Sequence, residues 1–478
     1  MKNLNKALVF CLIAFLCIGC SSDDNKSSTK EAFNGDVVLQ TQSEVDEFAA
    51  NNYKGINGSL RITLENVVAS SSITDISALR SLTFVSGDLG ITNNGKLSTL
   101  QGLNNITTIS GSLWVYGNEA LLNIDGLANV IQVDEDIVVQ DNKSLTNIDG
   151  LLGVTSVNGD LIIGSNQAPT GLSNEKLTSI EGLSNISSVG GNMVVSGNLI
   201  QDLSGLEKIT AINGDLTISF NSQMSHLTGM DNVASVGGGV EFRNNYNLVN
   251  FDALTNLTTI DGALHIENNP VLVDISGVYK LESCAFLSIA NNASLLSLGN
   301  AFPSLRACTL IAFSDNSFTV LEGFNALTTA DYIILEKNEN LEHINGFNSL
   351  QTVKTLTLNE AVNLSSFSGF QNLTTVTDFK ITQPETISDG VFTVNSFQAL
   401  TTVLNDLTIK GIANADVDFL SNVATVGNDV TIMHNENLND LCGLTTLVEN
   451  NGVAGDFNVF QNLYNPTQQD ILDGNCSQ

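Results

Sequence analysis

The sequence predicts a mainly β protein, a β-solenoid of about 17 coils of 22–24 residues each. One observation is a Leu-x-Ile-like pair, usually preceded two residues earlier by Gly, with its first apolar residue at Leu60, Leu89, Leu113, Ile137, Leu161, Met193, Leu216, Val240, Leu264, Leu287, Ile311, Ile333, Leu356, Phe379, Leu407, Val430 and Phe457. A second is that further apolar columns follow each pair: after Leu113 and Val115 come Leu121, Ile124, Leu127 and Val130. The third is the abundance of Gly, Asn and Thr, which disfavours long helices. The pair alternates at the strand period, and the later spacing of three suits short turns. A unit of this length closes a core only by stacking on its neighbours. Longer steps before Leu89, Met193, Leu407 and Phe457 mark insertions or caps.

At the amino terminus, Lys2 and Lys6 precede an apolar run from Ala7 to Ile18. That run is too short to cross ~30 Å of hydrocarbon and has the layout of a cleaved secretion signal, residues 1–19. Its end, Cys17-Ile18-Gly19-Cys20, resembles a bacterial lipobox, which implies a lipid on Cys20 as the membrane anchor. Ser21-Ser22-Asp23-Asp24 resembles the acidic export signal of surface lipoproteins of the Bacteroidetes, implying a place outside the outer membrane; a plain solvated tether is the other reading. Under both, residues 20–33 form a flexible tether poor in apolar side chains, and residues 34–478 form one repeat domain.

Lys and Arg total 18 against 50 Asp and Glu, for a net charge of −32. Loss of Lys2 and Lys6 with the signal would make it −34. Such a field repels phosphate backbones, which excludes nucleic acid as a partner.

An asparagine stands three positions after the second strand residue at Asn94, Asn118, Asn142, Asn166, Asn198, Asn221, Asn245, Asn269, Asn292, Asn316 and Asn338, then at Asn435 and Asn462. An inward amide can satisfy backbone groups at a buried bend and on neighbouring coils, so this column reads as a structural ladder. It breaks at Ala361, Pro384 and Ile412, where a less regular coil is expected.

Together these residues, G-x-L-x-I-x-x-N-x-x-L-x-x-L-x-G-L, resemble the receptor L-domain, a relative of leucine-rich repeats, from about Gly35 to Gln478. The opening resembles that family's amino-terminal cap, residues 34–59, with a first strand at Val37 to Leu39 and a short helix around Ser43 to Ala50. The ending resembles a carboxyl-terminal cap, residues 442–478. The resemblance implies a right-handed solenoid used for recognition, with no catalytic residues.

Four cysteines remain outside the signal and lipid site. Cys284 and Cys308 each precede their strand pair by three residues. Adjacent coils would hold them ~4.8 Å apart, within the reach of a disulfide. Cys442 and Cys476 bracket the carboxyl-terminal cap and are expected to staple it. Export makes both bridges credible, and a zinc site lacks nearby histidines.

The chain holds no Walker loop, HExxH, G-x-S-x-G elbow or EF-hand loop. His226 and His343 share a column but lie five coils apart, ~24 Å. No catalytic residue, metal or cofactor is assigned. Asp88, Asp136, Asp160 and Asp215 share the position before the strand pair, where either calcium or a solvated acidic stripe would fit; Ser112 and Asn192 interrupt the column.

With Leu113 and Val115 inward, the period of two sends Trp114 and Tyr116 outward. The Trp114 column continues as Val138, Ile162 and Val194, then Thr217, Glu241 and His265. An aromatic beside a contiguous apolar column suggests a recognition surface; cover by the tether, by the Gln167 to Lys176 insertion or by a neighbouring molecule is the other reading. Arg243 is a rare cation on this face, paired with Glu241 or Glu267 or offered to a ligand. The expected function is that of a cell-surface lipoprotein binding an extracellular protein or glycan. The alternatives are a carbohydrate-binding component of a glycan-uptake system and a purely structural or ice-binding solenoid, for which the outward threonines are too scattered.

Overall fold

A computed structural model describes residues 30–64, 72–165, 173–360, 363–364, 366–382 and 393–478. The expected signal, Cys20 and most of the expected tether lie outside these residues, as do Asn166, Ala361, Pro384 and the first part of the insertion before Met193, Gln167 to Leu172.

Every coil gives one strand to a long parallel sheet that runs from Val37–Leu39 to Phe457–Phe460. Register is strict: Leu113 pairs with Leu89 and Ile137, and Val115 with Ile91 and Val139. The strand pairs expected from the sequence lie at these positions, because the inward residue of each coil is buried between its neighbours above and below. Leu113, Val115, Leu121, Ile124 and Leu127 are all fully buried. The spacing of three closes the coil through short 3-10 turns such as Asp125–Leu127 and Asp149–Leu151. In the later coils that closing leucine becomes phenylalanine. The rings of Phe302, Phe324, Phe347 and Phe370 stack at centroid spacings of 5.3, 4.7 and 5.1 Å.

Between residues 329 and 382 the strands lengthen to eight residues: Thr329–Glu336, Thr352–Asn359 and Thr375–Thr382. No glycine interrupts these stretches, whereas earlier coils turn at a Gly just before the strand pair, as at Gly87 and Gly111.

Helix α1 (Gln42–Ala49) closes the amino-terminal end, its first turn held by a capping box between Thr41 and Glu44. Val45 is its buried anchor. The tether ends earlier than the sequence suggested. Lys30 N–H donates to Asn52 O (3.0 Å), and Phe33–Asn34 already forms a strand beside Gly55–Asn57. Phe33 explains the difference, since its ring packs on Phe48 and Tyr53 at 5.9 and 5.5 Å.

At the other end lie α2 (Thr445–Glu449) and α3 (Gln468–Leu472). Cys442 and Cys476 form a disulfide across them, with Cα atoms 4.9 Å apart. Cys284 and Cys308 correct the expectation of a second bridge: both are thiols, buried, with sulfurs 3.8 Å apart. Register brings them into contact, but Cys308 Sγ is directed at Leu310 O, 3.1 Å away. The hydrogen bond it donates to Cys308, and then burial, push the Cys284 thiol well above its ordinary pKa, so Cys284 is not a ready nucleophile, and both sulfurs are buried away from reagents. In the folded body of residues 30–478, a thiol reagent should therefore find no reactive cysteine. Unfolding without reductant should release two thiols, and reduction four. Release of none on unfolding would contradict this assignment.

Candidate functional site

Two hydrogen-bond ladders flank the strands of the long sheet, one just after and one just before each strand pair. In the first, each inward asparagine bonds to the coil before it. Asn118 Oδ1 accepts from Asn94 N–H (3.1 Å), and its Nδ2 donates to Ile91 O (2.8 Å). The same pattern links Asn142 to Asn118, and continues from Asn198 to Asn338. The residue before most ladder asparagines turns the chain inward with left-handed backbone, as at Asn93 (φ 58°), Gly117 (φ 68°) and Asp141 (φ 51°). After the insertion the rung is Asn174, whose Oδ1 accepts from Asn142 N–H (3.1 Å) and whose Nδ2 donates to Val139 O (3.0 Å). At Ile412 the backbone N–H still donates to Asn435 Oδ1 (2.9 Å), so the ladder resumes there.

Asp141 is the strained member of the turn column. Its Oδ1 is buried without a hydrogen bond, and burial raises its pKa despite the nearby Lys143. An acid whose folded pKa is raised costs stability above that pKa, and the cost fades as pH falls through it. Asp141→Asn, which places here the residue found at Asn93 and Asn244, should raise stability at neutral pH by about 1 kcal/mol. The gain should shrink on acidification, as read by urea unfolding at stepped pH.

The second ladder gives the acidic column a structural role. Asp88 Oδ1 accepts from Ser112 N–H (3.1 Å), Ser112 Oγ from Asp136 N–H (3.2 Å), and Asp136 Oδ1 from Asp160 N–H (2.8 Å). Asp160 continues to Asn192 (2.7 Å), Asn192 to Asp215 (2.8 Å), and Asp215 to Gly239 (2.6 Å). Ser112 and Asn192 are thus rungs, not interruptions: a hydroxyl, an amide and a carboxylate can each accept the next coil's N–H. One oxygen of each of these carboxylates is thus committed to the fold.

On the outward face, Trp114 pairs in register with Gly90 and Val138, and the column runs on through Ile162 to Val194. Trp114, Tyr116, Val138 and Ile162 are half-buried. Val194 corrects the expected patch, because it is only 8% exposed. There the chain leaves its strand at Gly164 (φ 88°), and Ser165 O accepts from Ser196 Oγ (2.8 Å), which closes this part of the face. Arg243 is also committed: its Nε lies 2.9 Å from Glu241 Oε1, at an angle that makes no hydrogen bond, and its guanidinium sits 5.7 Å from the Phe220 ring.

On the other side of Trp114 the column holds Gly90 and then the exposed Arg61, neither singled out from the sequence. A Cβ at Gly90 would meet nothing closer than Arg61 Cγ, at 3.8 Å. The fold therefore does not require glycine here, and glycine within a strand costs stability and marks places of close approach. The column thus has one position without a side chain, the buried Gly90, between the strands that carry Arg61 and Trp114. Gly90→Thr should raise stability by about 0.5–1 kcal/mol in thermal melts while filling this position. A fall in stability would show that the glycine serves the fold.

At the two outward positions of each strand pair, Arg61, Arg243, Lys380 and Lys410 stand against Glu241, Glu267 and Glu336. The face is thus nearly neutral in a chain of net charge −32. The acidic charge is held elsewhere on the surface.

This architecture is that of a parallel β-solenoid of the leucine-rich-repeat type. Two stretches of it, residues 54–151 and 208–302, match the model of the receptor L domain family. No curated protein matches the sequence. Among solved structures it is similar to an internalin from Listeria monocytogenes, with 15% identity over 88% of this chain and 89% of that one, at a TM-score of 0.33. It is also similar to Toll in the Toll–Spatzle complex of Drosophila, with 11% identity over 89% of this chain and 61% of that one, at a TM-score of 0.35.

Proposed function

We propose that the protein is a binding module whose outward sheet face, centred on Arg61, Gly90 and Trp114, captures an extracellular protein or glycan. The observation that carries this reading is the near-neutral face, with a half-open aromatic and apolar stretch, on a strongly acidic body. A charge-poor surface with an aromatic anchor is suited to burial against a partner, while the acidic remainder keeps the body soluble and repels other polyanions. The lipobox-like Cys17-Ile18-Gly19-Cys20 supports anchoring through a lipid on Cys20, and the acidic residues after it support display on the outer membrane. Among the described residues no helix is long and apolar enough to cross a membrane. Protease shaving of intact cells tests the location, and resistance of the body to shaving would refute surface display. Glycan and extracellular-protein arrays probed with residues 30–478 test the activity. Retention on glycans alone would favour the glycan-uptake reading, and silence on every array would return the protein to a structural role.

A further inference from the structure

The rung column changes character after Asp215. Its next members are Gly239 and Ala263, which have no side-chain acceptor to offer the following coil, and then Phe286, Leu310 and Tyr332, paired in register. Where the acceptors are lost, a cleft of about 460 Å³ opens beside the strands. Gly239, Gly262, Ala263 and Ala285 contribute its small residues, Asp215 supplies a carboxylate, Glu241 a second that is already paired with Arg243 (2.9 Å), and Phe286 supplies an aromatic ring that is 43% exposed. No lysine or arginine is among the lining residues. Asp215 uses Oδ1 to accept from Gly239 N–H (2.6 Å), which leaves Oδ2 as an acceptor.

We infer that this cleft docks a lysine side chain from a basic segment of a protein partner. The aliphatic stem of a lysine fits against the glycines and Ala263, and its ammonium reaches a carboxylate and an aromatic face together. The net charge of −32 draws a basic segment toward the molecule. The site lies four to seven strand spacings from Trp114, ~19–34 Å, so it stands or falls independently of Trp114.

The test is fluorescence anisotropy of a labelled tetralysine peptide on the purified protein at physiological ionic strength, with the Nζ-acetylated peptide as control. Asp215→Asn preserves the ladder, since Asn192 already plays that part by accepting from Asp215 N–H at 2.8 Å. Ala263→Leu fills the cleft at a column position that elsewhere holds Phe286 and Leu310. The peptide should bind and its acetylated form should not. Phe286→Ala and Asp215→Asn should each weaken binding about 3-fold to 5-fold, and Ala263→Leu should abolish it. Trp114→Ala and the distant Asp473→Asn should leave it unchanged. Equal weakening by Asp473→Asn and Asp215→Asn would reveal only a diffuse field and overturn the site. Full binding by Ala263→Leu, or no binding by the unmodified protein, would overturn it as well.

Discussion

Asn118→Leu is expected to cost about 4 kcal/mol and to open the solenoid locally around its third and fourth coils. The side chain is fully buried and is the partner of two backbone groups on the preceding coil, Asn94 N–H and Ile91 O. Leucine supplies similar volume but no polar atom, so the substitution isolates the hydrogen bonds from the packing. Each buried backbone group left without a partner costs about 1–3 kcal/mol. Because each coil touches only its neighbours, the damage should stay near its origin. Amide hydrogen exchange should show lost protection from Leu89 to Gln140 and normal protection around Val430–Met433. Uniform loss along the chain would mean that the coils unfold as one unit.

Gly111→Ala should cost about 3 kcal/mol, a large effect for one methyl group. The added carbon would lie 2.5 Å from Asp88 Oδ1 and 2.7 Å from the Gly87 carbonyl carbon. The clash falls on backbone and on a carboxylate held by Ser112 N–H, so the two coils must part. The equivalent residue one coil later is Glu135, which stands over the shorter Ser112 rung and is exposed. Glu135→Ala should therefore be nearly neutral in the same urea titration. A neutral Gly111→Ala would show that the second ladder has slack.

The coil period, the strand starts and the inward residues were legible in the sequence, because each is set by local alternation that stacking then reinforces. The ladder rung at Asn174 was missed for a counting reason. Counting forward from Ile163 gives Asn166, while counting back from Leu177 through the N-x-x-L spacing gives Asn174, and the side chain follows the turn it caps. The second ladder was hidden because Asp, Ser and Asn look like three residue types, although all accept an N–H in the same way. Register placed Cys284 beside Cys308, but adjacency in a column allows a bond without making one. The outward turn of Trp114 was legible; its neighbours in the column were not, because Gly90 and Arg61 carry no signal until the strands are paired. The same is true of Phe286, Leu310 and Tyr332, which become a stripe only when the residue before each strand is read as a column.

The ladders and Gly90 are connected physically. Glycine at position 90 gives up strand stability on a face flanked by the two ladders, and a face braced in this way loses little entropy when it binds. Trp114 then supplies the large apolar area typical of an interface anchor.

The most direct test of the binding-face claim compares residues 30–478 with its Trp114→Ala and Leu122→Ala variants on the same ligand arrays. Leu122 is 53% exposed and lies off the outward sheet face, so it controls for the loss of one exposed apolar side chain. The account predicts that ligands retained by the unmodified body are lost about 30-fold or more by Trp114→Ala and kept by Leu122→Ala, with all three proteins equally folded. Ligands held equally by Trp114→Ala, or lost equally by Leu122→Ala, would contradict it.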